Sequence, residues 1–179
     1  MLTFALAKGR LADETINILS KCGIDCSVLL EKTRKLVLEE SGGRYRFIFV
    51  KPSDVPIYVE SGIADVGVCG SDTLLEEDRR LYEFVDMGFG KCRLCIAGYK
   101  NRQYSGGEAL RVATKYQNIT KNYYRERGKD AKIIKLNGSV ELGPVMGLSD
   151  VILDIVESGS TLRENGLDIL EEICPVSAR

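Results

Sequence analysis

The clearest pattern in the chain is one apolar run that ends in a short polar turn. Residues 151–156 are apolar except for Asp154, a pattern typical of a strand buried on both faces of a sheet. The turn Glu157-Ser158-Gly159-Ser160-Thr161 follows, and residues 162–165 then begin a helix that Gly166 ends. The N–H and hydroxyl groups of such a turn can bind an anion, and a carboxylate at the strand end suits ribose hydroxyls or a magnesium ion. The same residues equally fit an ordinary connection in which a serine caps the helix.

The rest of the chain alternates between apolar strands and amphipathic helices. Strands are predicted at 2–7, 34–39, 45–50, 64–69, 81–86, 91–98, 110–114, 131–136, 151–156 and 167–173. Helices are predicted at 11–22, 53–62, 70–78, 118–127 and 139–147. A glycine-rich turn at 41–44 indicates a hairpin. This alternation favours an α/β fold with a mostly parallel sheet.

A faint internal repeat links the two halves of the chain. Gly62-Ile63-Ala64-Asp65-Val66 resembles Gly147-Leu148-Ser149-Asp150-Val151, 85 positions later. A Thr-Leu pair follows each copy, and the second pair lies 88 positions after the first. The second copy therefore has three extra residues, which we assign to the turn at 157–160. The repeat predicts two similar lobes with a cleft between them, and chance similarity of two βα units is the alternative.

Composition limits the chemistry that the chain can perform. It has no histidine, which excludes Ser-His-Asp and Cys-His triads and any histidine base. Its 25 basic and 26 acidic residues leave no net basic field, so we expect no nucleic acid partner. No apolar run approaches membrane-spanning length and no signal peptide is evident, so we expect a cytoplasmic protein without a membrane partner. Its six cysteines are then expected to be thiols.

Cations follow two of the predicted strands. Lys8 and Arg10 flank Gly9 after the first strand, and Lys51 follows the strand at 45–50. Ligands in α/β folds bind at the carboxyl ends of strands, so these cations could hold a pyrophosphate or triphosphate. Arg34 is a weaker candidate, since an edge strand often carries such a charge. Solvated loops are the alternative for the whole set.

Two further groups are candidates for ligand contact. Glu141, Asp154 and Glu157 supply carboxylates near the turn, and Asp154 needs a polar partner because it lies inside an apolar run. We prefer ribose hydroxyl contacts and magnesium to a general acid and base pair for this group. Thr114-Lys115-Tyr116 ends another strand and could hold a base or its phosphate.

Taken together, these motifs resemble the catalytic subunit of ATP phosphoribosyltransferase in its short form, the first enzyme of histidine biosynthesis. The resemblance runs from end to end and rests on several ordered motifs. They are Ala7-Lys8-Gly9-Arg10-Leu11, Arg34-Lys35-Leu36-Val37, residues 51–59, Ala64-Asp65-Val66-Gly67, Arg111-Val112-Ala113-Thr114-Lys115-Tyr116, Gly138-Ser139-Val140-Glu141, Gly147-Leu148-Ser149-Asp150 and, above all, residues 154–162 with Glu164-Asn165-Gly166-Leu167.

The resemblance implies two α/β lobes of the type II periplasmic-binding-protein kind, with the active site in the cleft between them. We expect residues 1–88 to form the first lobe, with 167–179 returning to it, and 89–166 to form the second. The implied enzyme is a pentosyl-type glycosyltransferase. It transfers the 5-phosphoribosyl group of phosphoribosyl pyrophosphate to N1 of ATP and releases pyrophosphate. Magnesium is bound by the pyrophosphate, and the protein is not required to supply a metal ligand.

The resemblance also implies roles for individual residues. Catalytic roles fall on Lys8, Arg10, Lys51 and Asp154. Contacts with phosphoribosyl pyrophosphate fall on Glu141, Asp154, Glu157, Ser158, Gly159, Ser160, Thr161 and Leu162. Contacts with ATP fall on Arg10, Arg34 (the last across a dimer), Asp72, Thr114, Lys115 and Tyr116. Lys51 departs from the family, because many relatives carry arginine there and a point charge replaces a bidentate fork.

The resemblance also implies partners, and two other functions stay open. The family's short form implies a histidyl-tRNA-synthetase-like regulatory subunit and a homodimer within a hetero-oligomer. Relatives continue beyond Arg179 with a further helix, so we expect the chain alone to be less stable or less active. The rival readings are a type I nucleobase phosphoribosyltransferase and a non-catalytic two-lobe sensor of a small molecule, which the fold by itself does not exclude.

Overall fold

The chain divides into two compact units. The computed structural model describes residues 1–30, 33–102 and 109–179. Unit 1 comprises Met1–Gly90 with Ser177–Arg179, and unit 2 comprises Lys91–Val176. The sequence assigned 167–179 to the first lobe. In the structure Asp168–Val176 pairs with a strand of unit 2, so only the last three residues lie in unit 1.

Unit 1 is built on a four-stranded sheet in the order β2-β3-β1-β4. Its strands are β1 (Leu2–Ala7), β2 (Val37–Glu39), β3 (Tyr45–Val50) and β4 (Val66–Val68). Its helices are α1 (Arg10–Lys21), α2 (Ser27–Leu30), α3 (Val55–Glu60) after a 3₁₀ turn at Pro52–Asp54, and α4 (Ser71–Glu77). β1 pairs in parallel with β3 and β4, while β2 and β3 form the predicted antiparallel hairpin. Phe4, Leu6 and Phe47 are buried at the centre of one face.

The predicted strand at 81–86 is wrong. No described residue pairs with this segment in a sheet, and Tyr82 and Phe84 are 89% and 88% exposed. Alternating apolar residues suit a strand, but a strand also requires a neighbour to satisfy its backbone. The carboxyl-terminal residues supply that neighbour just downstream, where Met87 donates its N–H to Ala178 and Ala178 donates to Phe89. Arg179 exchanges two backbone hydrogen bonds with Cys69 on the other side.

Unit 2 is built on a five-stranded sheet in the order β7-β6-β8-β5-β9. Its strands are β5 (Cys92–Gly98), β6 (Leu110–Thr114), β7 (Ala131–Lys135), β8 (Val151–Val156) and β9 (Asp168–Val176). Its helices are α5 (Gln117–Glu126), α6 (Leu142–Val145) and α7 (Ser160–Glu164). Among the described residues, no helix has the length and apolar character needed to cross a membrane.

The two units begin one strand each with the same kind of hydrogen bond, at equivalent positions of the two repeat copies. Val66 pairs with Phe4 of β1, and Val151 pairs with Val112 of β6. The aspartate before each valine binds the backbone of the neighbouring strand. Asp65 accepts the N–H of Thr3 at 2.7 Å, and Asp150 accepts the N–H of Arg111 at 2.9 Å.

The copies differ in what lies beyond this start. β4 is a three-residue edge strand, whereas β8 is twice as long and lies between β6 and β5. The pairing of β8 with β5 extends to Val156. The extra residues of the second copy therefore lengthen the strand as well as the turn that follows it.

Candidate functional site

A cavity of about 250 Å³ lies where β8 passes into α7. Its lining includes every residue to which the resemblance assigned contacts with phosphoribosyl pyrophosphate, namely Glu141, Asp154, Glu157, Ser158, Gly159, Ser160, Thr161 and Leu162. Leu162 is buried in the core beneath the cavity, while Glu157, Ser158, Ser160 and Thr161 are exposed. Tertiary structure thus brings the loop together with Glu141, which comes from the start of α6.

The loop from Glu157 to Thr161, the hydroxyl loop, is shaped by its own hydrogen bonds. The Ser158 and Ser160 hydroxyls lie 3.1 Å apart, and the Ser160 N–H donates to Ser158 Oγ at 3.3 Å. Gly159 has φ +73°, a left-handed conformation that a side chain would strain. The Ser160 N–H at the start of α7 is thus used within the loop, whereas the next N–H groups of a helix have no partner inside the helix.

Two residues missed by the sequence reasoning hold this loop. Arg163 Nη1 donates to the Ser158 carbonyl at 3.0 Å, and Asn165 Nδ2 donates to the Thr161 carbonyl at 2.9 Å. Asn165 directly follows α7 and binds a carbonyl of that helix, whereas Arg163 reaches back to a carbonyl that precedes the helix N-cap. Polar side chains near a helix C-terminus commonly bind its last carbonyls, which is a signal for Asn165, but no local sequence signal indicates the contact of Arg163.

Carboxylates form the polar wall of the cavity. Asp154 is half-buried on β8, opposite Cys95 of β5. Glu141 is also half-buried, and Glu157 begins the hydroxyl loop. Within the described part of the chain, no group of three or more acidic or thiol side chains is arranged to hold a metal ion. The wall therefore suits hydrogen bonds from substrate hydroxyls, or a cation that arrives with its own phosphate ligands.

The predicted cations lie in unit 1, around the carboxyl ends of β1 and β3. Ala7 pairs with Val50, and the Lys8 N–H donates to the Val50 carbonyl at 3.0 Å. Lys8 and Lys51 therefore follow two paired residues. Gly9 between Lys8 and the start of α1 has φ +102°, which favours glycine.

A second cavity of about 460 Å³ extends this cationic region. Lys8, Arg34 and Lys35 contribute to its lining, together with the hydroxyl-bearing Thr33. Arg10, the first residue of α1, is exposed but does not line this cavity. Thus Lys8 and Arg34 share one cavity, whereas Arg10 and Lys51 lie outside its lining.

The predicted ATP contacts differ in accessibility. Asp72 is buried in the first turn of α4, where its carboxylate covers Gly70 so closely that a Cβ there would overlap it. Thr114 is fully buried, donating to the Leu153 carbonyl at 2.7 Å and accepting the Tyr116 N–H at 2.8 Å. Tyr116 belongs to the core of unit 2.

Lys115 is the exposed member of the same strand end. Its Nζ lies 4.5 Å from the centre of the Tyr116 ring, in a cation–π contact. Thr114, the last residue of β6, pairs with Leu153 of the adjacent strand β8, so Lys115 directly follows β6 at the level where Asp154 follows Leu153 in β8. Side-chain contact with a ligand at 114–116 is therefore expected from Lys115, with Thr114 and Tyr116 shaping the backbone beneath it.

Comparisons with known proteins match one family over nearly the whole chain. A family model described as "HisG: ATP phosphoribosyltransferase" matches residues 51–179. An ATP phosphoribosyltransferase of Lachnoclostridium phytofermentans is 54% identical, over 99% of this chain and 85% of the relative. Among solved structures, the ATP phosphoribosyl transferase (HisG:HisZ) complex from Thermotoga maritima matches with a TM-score of 0.87 and 39% identity, over 99% of this chain and 85% of that chain.

A more distant likeness concerns the fold alone. The periplasmic VFT2 domain of BvgS from Bordetella pertussis matches with a TM-score of 0.52 and 15% identity, covering 99% of this chain and 78% of that chain. Together with the two α/β sheets, these likenesses confirm the predicted two-lobe fold of the type II periplasmic-binding-protein kind. The expected active-site cleft between the lobes stays a prediction.

Proposed function

Because the chain belongs to the ATP phosphoribosyltransferase family, we propose that it transfers the 5-phosphoribosyl group of phosphoribosyl pyrophosphate to N1 of ATP. Pyrophosphate leaves, and the reaction is the first step of histidine biosynthesis. The single observation that carries the site assignment is the cavity beside the hydroxyl loop, which unites every residue expected to hold phosphoribosyl pyrophosphate.

In this proposal the hydroxyl loop binds the 5-phosphate. Ser158, Ser160 and Thr161 are exposed at the cavity and offer hydroxyl donors, and the left-handed Gly159 lets the backbone approach the anion. Asp154 and Glu141 accept hydrogen bonds from the ribose hydroxyls. Lys8, Arg10, Lys51 and Arg34 bind the polyphosphates, and Asp72 and Lys115 contact ATP.

The chemistry fits a chain without histidine. Displacement at the anomeric carbon passes through oxocarbenium character, so orientation of the two substrates and stabilisation of the leaving pyrophosphate matter more than a strong base. We therefore propose that no side chain acts as an essential proton-transfer base. If Asp154→Asn abolished a single turnover while leaving the affinity for phosphoribosyl pyrophosphate intact, this part of the proposal would be wrong.

Magnesium is the expected cofactor, and the donor set fits it. Magnesium prefers oxygen ligands and commonly binds one or two carboxylates together with substrate phosphates. Asp154, Glu141 and Glu157 line one cavity and can each supply such an oxygen, but within the described residues they form no group arranged to hold a metal ion, so the substrate phosphates would supply most of the ligands. A bound magnesium would neutralise charge on the pyrophosphate, while these carboxylates orient the ribose beside it.

A regulatory partner and a compartment belong to the same proposal. The Thermotoga maritima structure contains HisG with HisZ, and we propose that this chain likewise binds a histidyl-tRNA-synthetase-like regulatory subunit, as a homodimer within a hetero-oligomer. A cytoplasmic location agrees with six cysteines that form no disulfide.

The decisive experiment is an absorbance assay for phosphoribosyl-ATP, run with and without the regulatory subunit. Ser160→Ala and Thr161→Ala each remove a hydroxyl that would bind a charged phosphate. We expect each to raise the KM for phosphoribosyl pyrophosphate about ten-fold and to leave the KM for ATP unchanged. Ser61→Ala is a matched control, since its exposed hydroxyl bonds the Tyr58 carbonyl in unit 1.

Three results would count against the proposal. Release of pyrophosphate with free purines instead of ATP would favour a nucleobase enzyme. A thermal shift with one small ligand and none with the two substrates would favour a sensor. Loop variants with unchanged kinetics in an active enzyme would remove the hydroxyl loop from the site.

A further inference from the structure

Arg163 contacts the hydroxyl loop from outside the cavity. Its Nη1 donates to the Ser158 carbonyl at 3.0 Å, and a Cβ on Gly159 would lie 3.2 Å from the same nitrogen. Arg163 does not itself line the cavity, although its neighbour Leu162 does. The guanidinium therefore binds the backbone of the loop and does not face the space where a ligand would lie.

This contact fixes the orientation of one peptide group. The peptide between Ser158 and Gly159 is planar and trans, so its carbonyl and its N–H point in opposite directions. A carbonyl held by Arg163 on the outer side leaves the Gly159 N–H on the other side of the loop. Were the peptide to rotate, its carbonyl oxygen would replace an N–H donor opposite a bound anion and repel it.

Glycine makes such a rotation easy. Gly159 lies in the left-handed region and accepts many backbone conformations at little cost. The hydroxyl contact between Ser158 and Ser160 restrains the side chains of the loop but not this peptide. Among the hydrogen bonds of the described residues, the Ser158 carbonyl accepts the one donated by Arg163.

We propose that Arg163 is a positioning residue for the phosphate subsite. It orients the Ser158–Gly159 peptide so that the loop presents N–H donors to the 5-phosphate of phosphoribosyl pyrophosphate. This inference rests on the proposed function, because it assigns that phosphate to the hydroxyl loop. It adds a residue outside the cavity on which the affinity of the subsite depends.

The test uses the full 179-residue chain and two binding probes. Titration calorimetry would measure binding of phosphoribosyl pyrophosphate with magnesium and, separately, of ribose 5-phosphate, for wild type, Arg163→Met and Arg163→Lys. We expect Arg163→Met to bind both probes about five-fold more weakly, as one hydrogen bond of about 1 kcal/mol implies. Arg163→Lys keeps a donor within reach of the carbonyl and is expected to restore most of the affinity.

The steady-state readout separates positioning from general instability. The KM for phosphoribosyl pyrophosphate is expected to rise in Arg163→Met, while kcat, the KM for ATP and the thermal midpoint stay near wild type. Arg125→Met is a matched control, because Arg125 is an exposed arginine in the last turn of α5 and bonds Asn122. It is expected to bind both probes as wild type does.

Each other outcome overturns the inference in a distinguishable way. Unchanged affinity in Arg163→Met, or an equal loss in Arg163→Lys, would show that the guanidinium contact does not set the loop. If Ser160→Ala in the same series weakens binding while Arg163→Met does not, only the role of Arg163 fails. If neither variant weakens binding of the two probes, the assignment of the phosphate to this loop fails with it.

Discussion

Ser149 carries a buried hydroxyl whose removal should stabilise the protein. The residue is 0% exposed, and its Oγ lacks a hydrogen-bond partner among the described residues. The equivalent position in the unit 1 copy of the repeat is Ala64, which is 1% exposed and has no such group to satisfy. A buried hydroxyl without a partner costs about 1–3 kcal/mol. We take the lower end for Ser149→Ala, because the space left by the oxygen loses some packing contacts.

A gain of about 1 kcal/mol corresponds to a thermal midpoint about 2–4 °C higher for a chain of this size. Differential scanning calorimetry and urea unfolding would measure the change, with catalytic activity as a check on the fold. Ala64→Ser makes the reciprocal change and is expected to destabilise by about 1–3 kcal/mol. A lower midpoint in Ser149→Ala would refute the reasoning, since it would mean that the hydroxyl contributes a favourable bond.

Gly143 provides an internal check on the same packing. A Cβ added there would lie 2.5 Å from Ser149 Oγ and 2.9 Å from the Ala113 Cβ, so Gly143→Ala should destabilise. Ser149→Ala removes the nearer of these contacts and should recover part of the loss. A double-mutant cycle is therefore expected to show coupling of about 0.5–3 kcal/mol. Strict additivity would mean that the two residues do not share the strain.

Three other predictions concern packing, pH and thiol reactivity. Gly67→Ala should lower stability by about 1–3 kcal/mol in urea unfolding, because its Cβ would lie 2.6 Å from a Val55 methyl group, and an unchanged midpoint would contradict this. The hydrogen bond from Arg111 holds the pKa of Asp150 below its usual value of 3.8, so this pair stabilises the fold above about pH 4 and stops doing so as the pH falls through the depressed pKa. The stability difference between wild type and Asp150→Asn should accordingly shrink in urea titrations below pH 4; a difference that stays constant would exclude the linkage. Burial, together with nearby acidic groups, raises the pKa of the Cys69 thiol to about 12, so iodoacetamide at pH 8 should modify the exposed Cys22 and spare Cys69 in native protein, as mass spectrometry would detect.

The pattern of side chains was sufficient to predict strands and turns, because these depend on neighbouring residues. An apolar run interrupted by Asp154 predicted a buried strand, and β8 spans the same residues, 151–156. The repeated Gly-x-small-Asp-Val motif predicted two similar units, and in the structure its aspartate accepts the N–H of Thr3 in one sheet and that of Arg111 in the other. The polar turn after β8 predicted the hydroxyl loop, since small hydroxylated residues beside a glycine favour a turn wherever they occur.

Long-range choices required the tertiary structure. The segment at 81–86 has a strand-like pattern, yet no described residue pairs with it in a sheet, whereas Asp168–Val176 pairs with β5 of unit 2. Which strand pairs with which depends on the path of the whole chain, and side-chain alternation carries no record of it. For the same reason Thr114 looked available at a strand end, although folding buried it beneath Leu153.

The sequence by itself determined the residue types at the site, the repeat and the family, because these depend on which chemistry occurs in which order. The tertiary structure brings Glu141 to the hydroxyl loop at one cavity, as the resemblance implied, and only the tertiary structure decided that Arg163 binds the Ser158 carbonyl. Such contacts depend on the distances and angles between packed elements, and many sequences with the same pattern would differ in them. The physical reason is that composition and periodicity determine which side chains of a segment are buried, while close packing determines which residues those side chains contact.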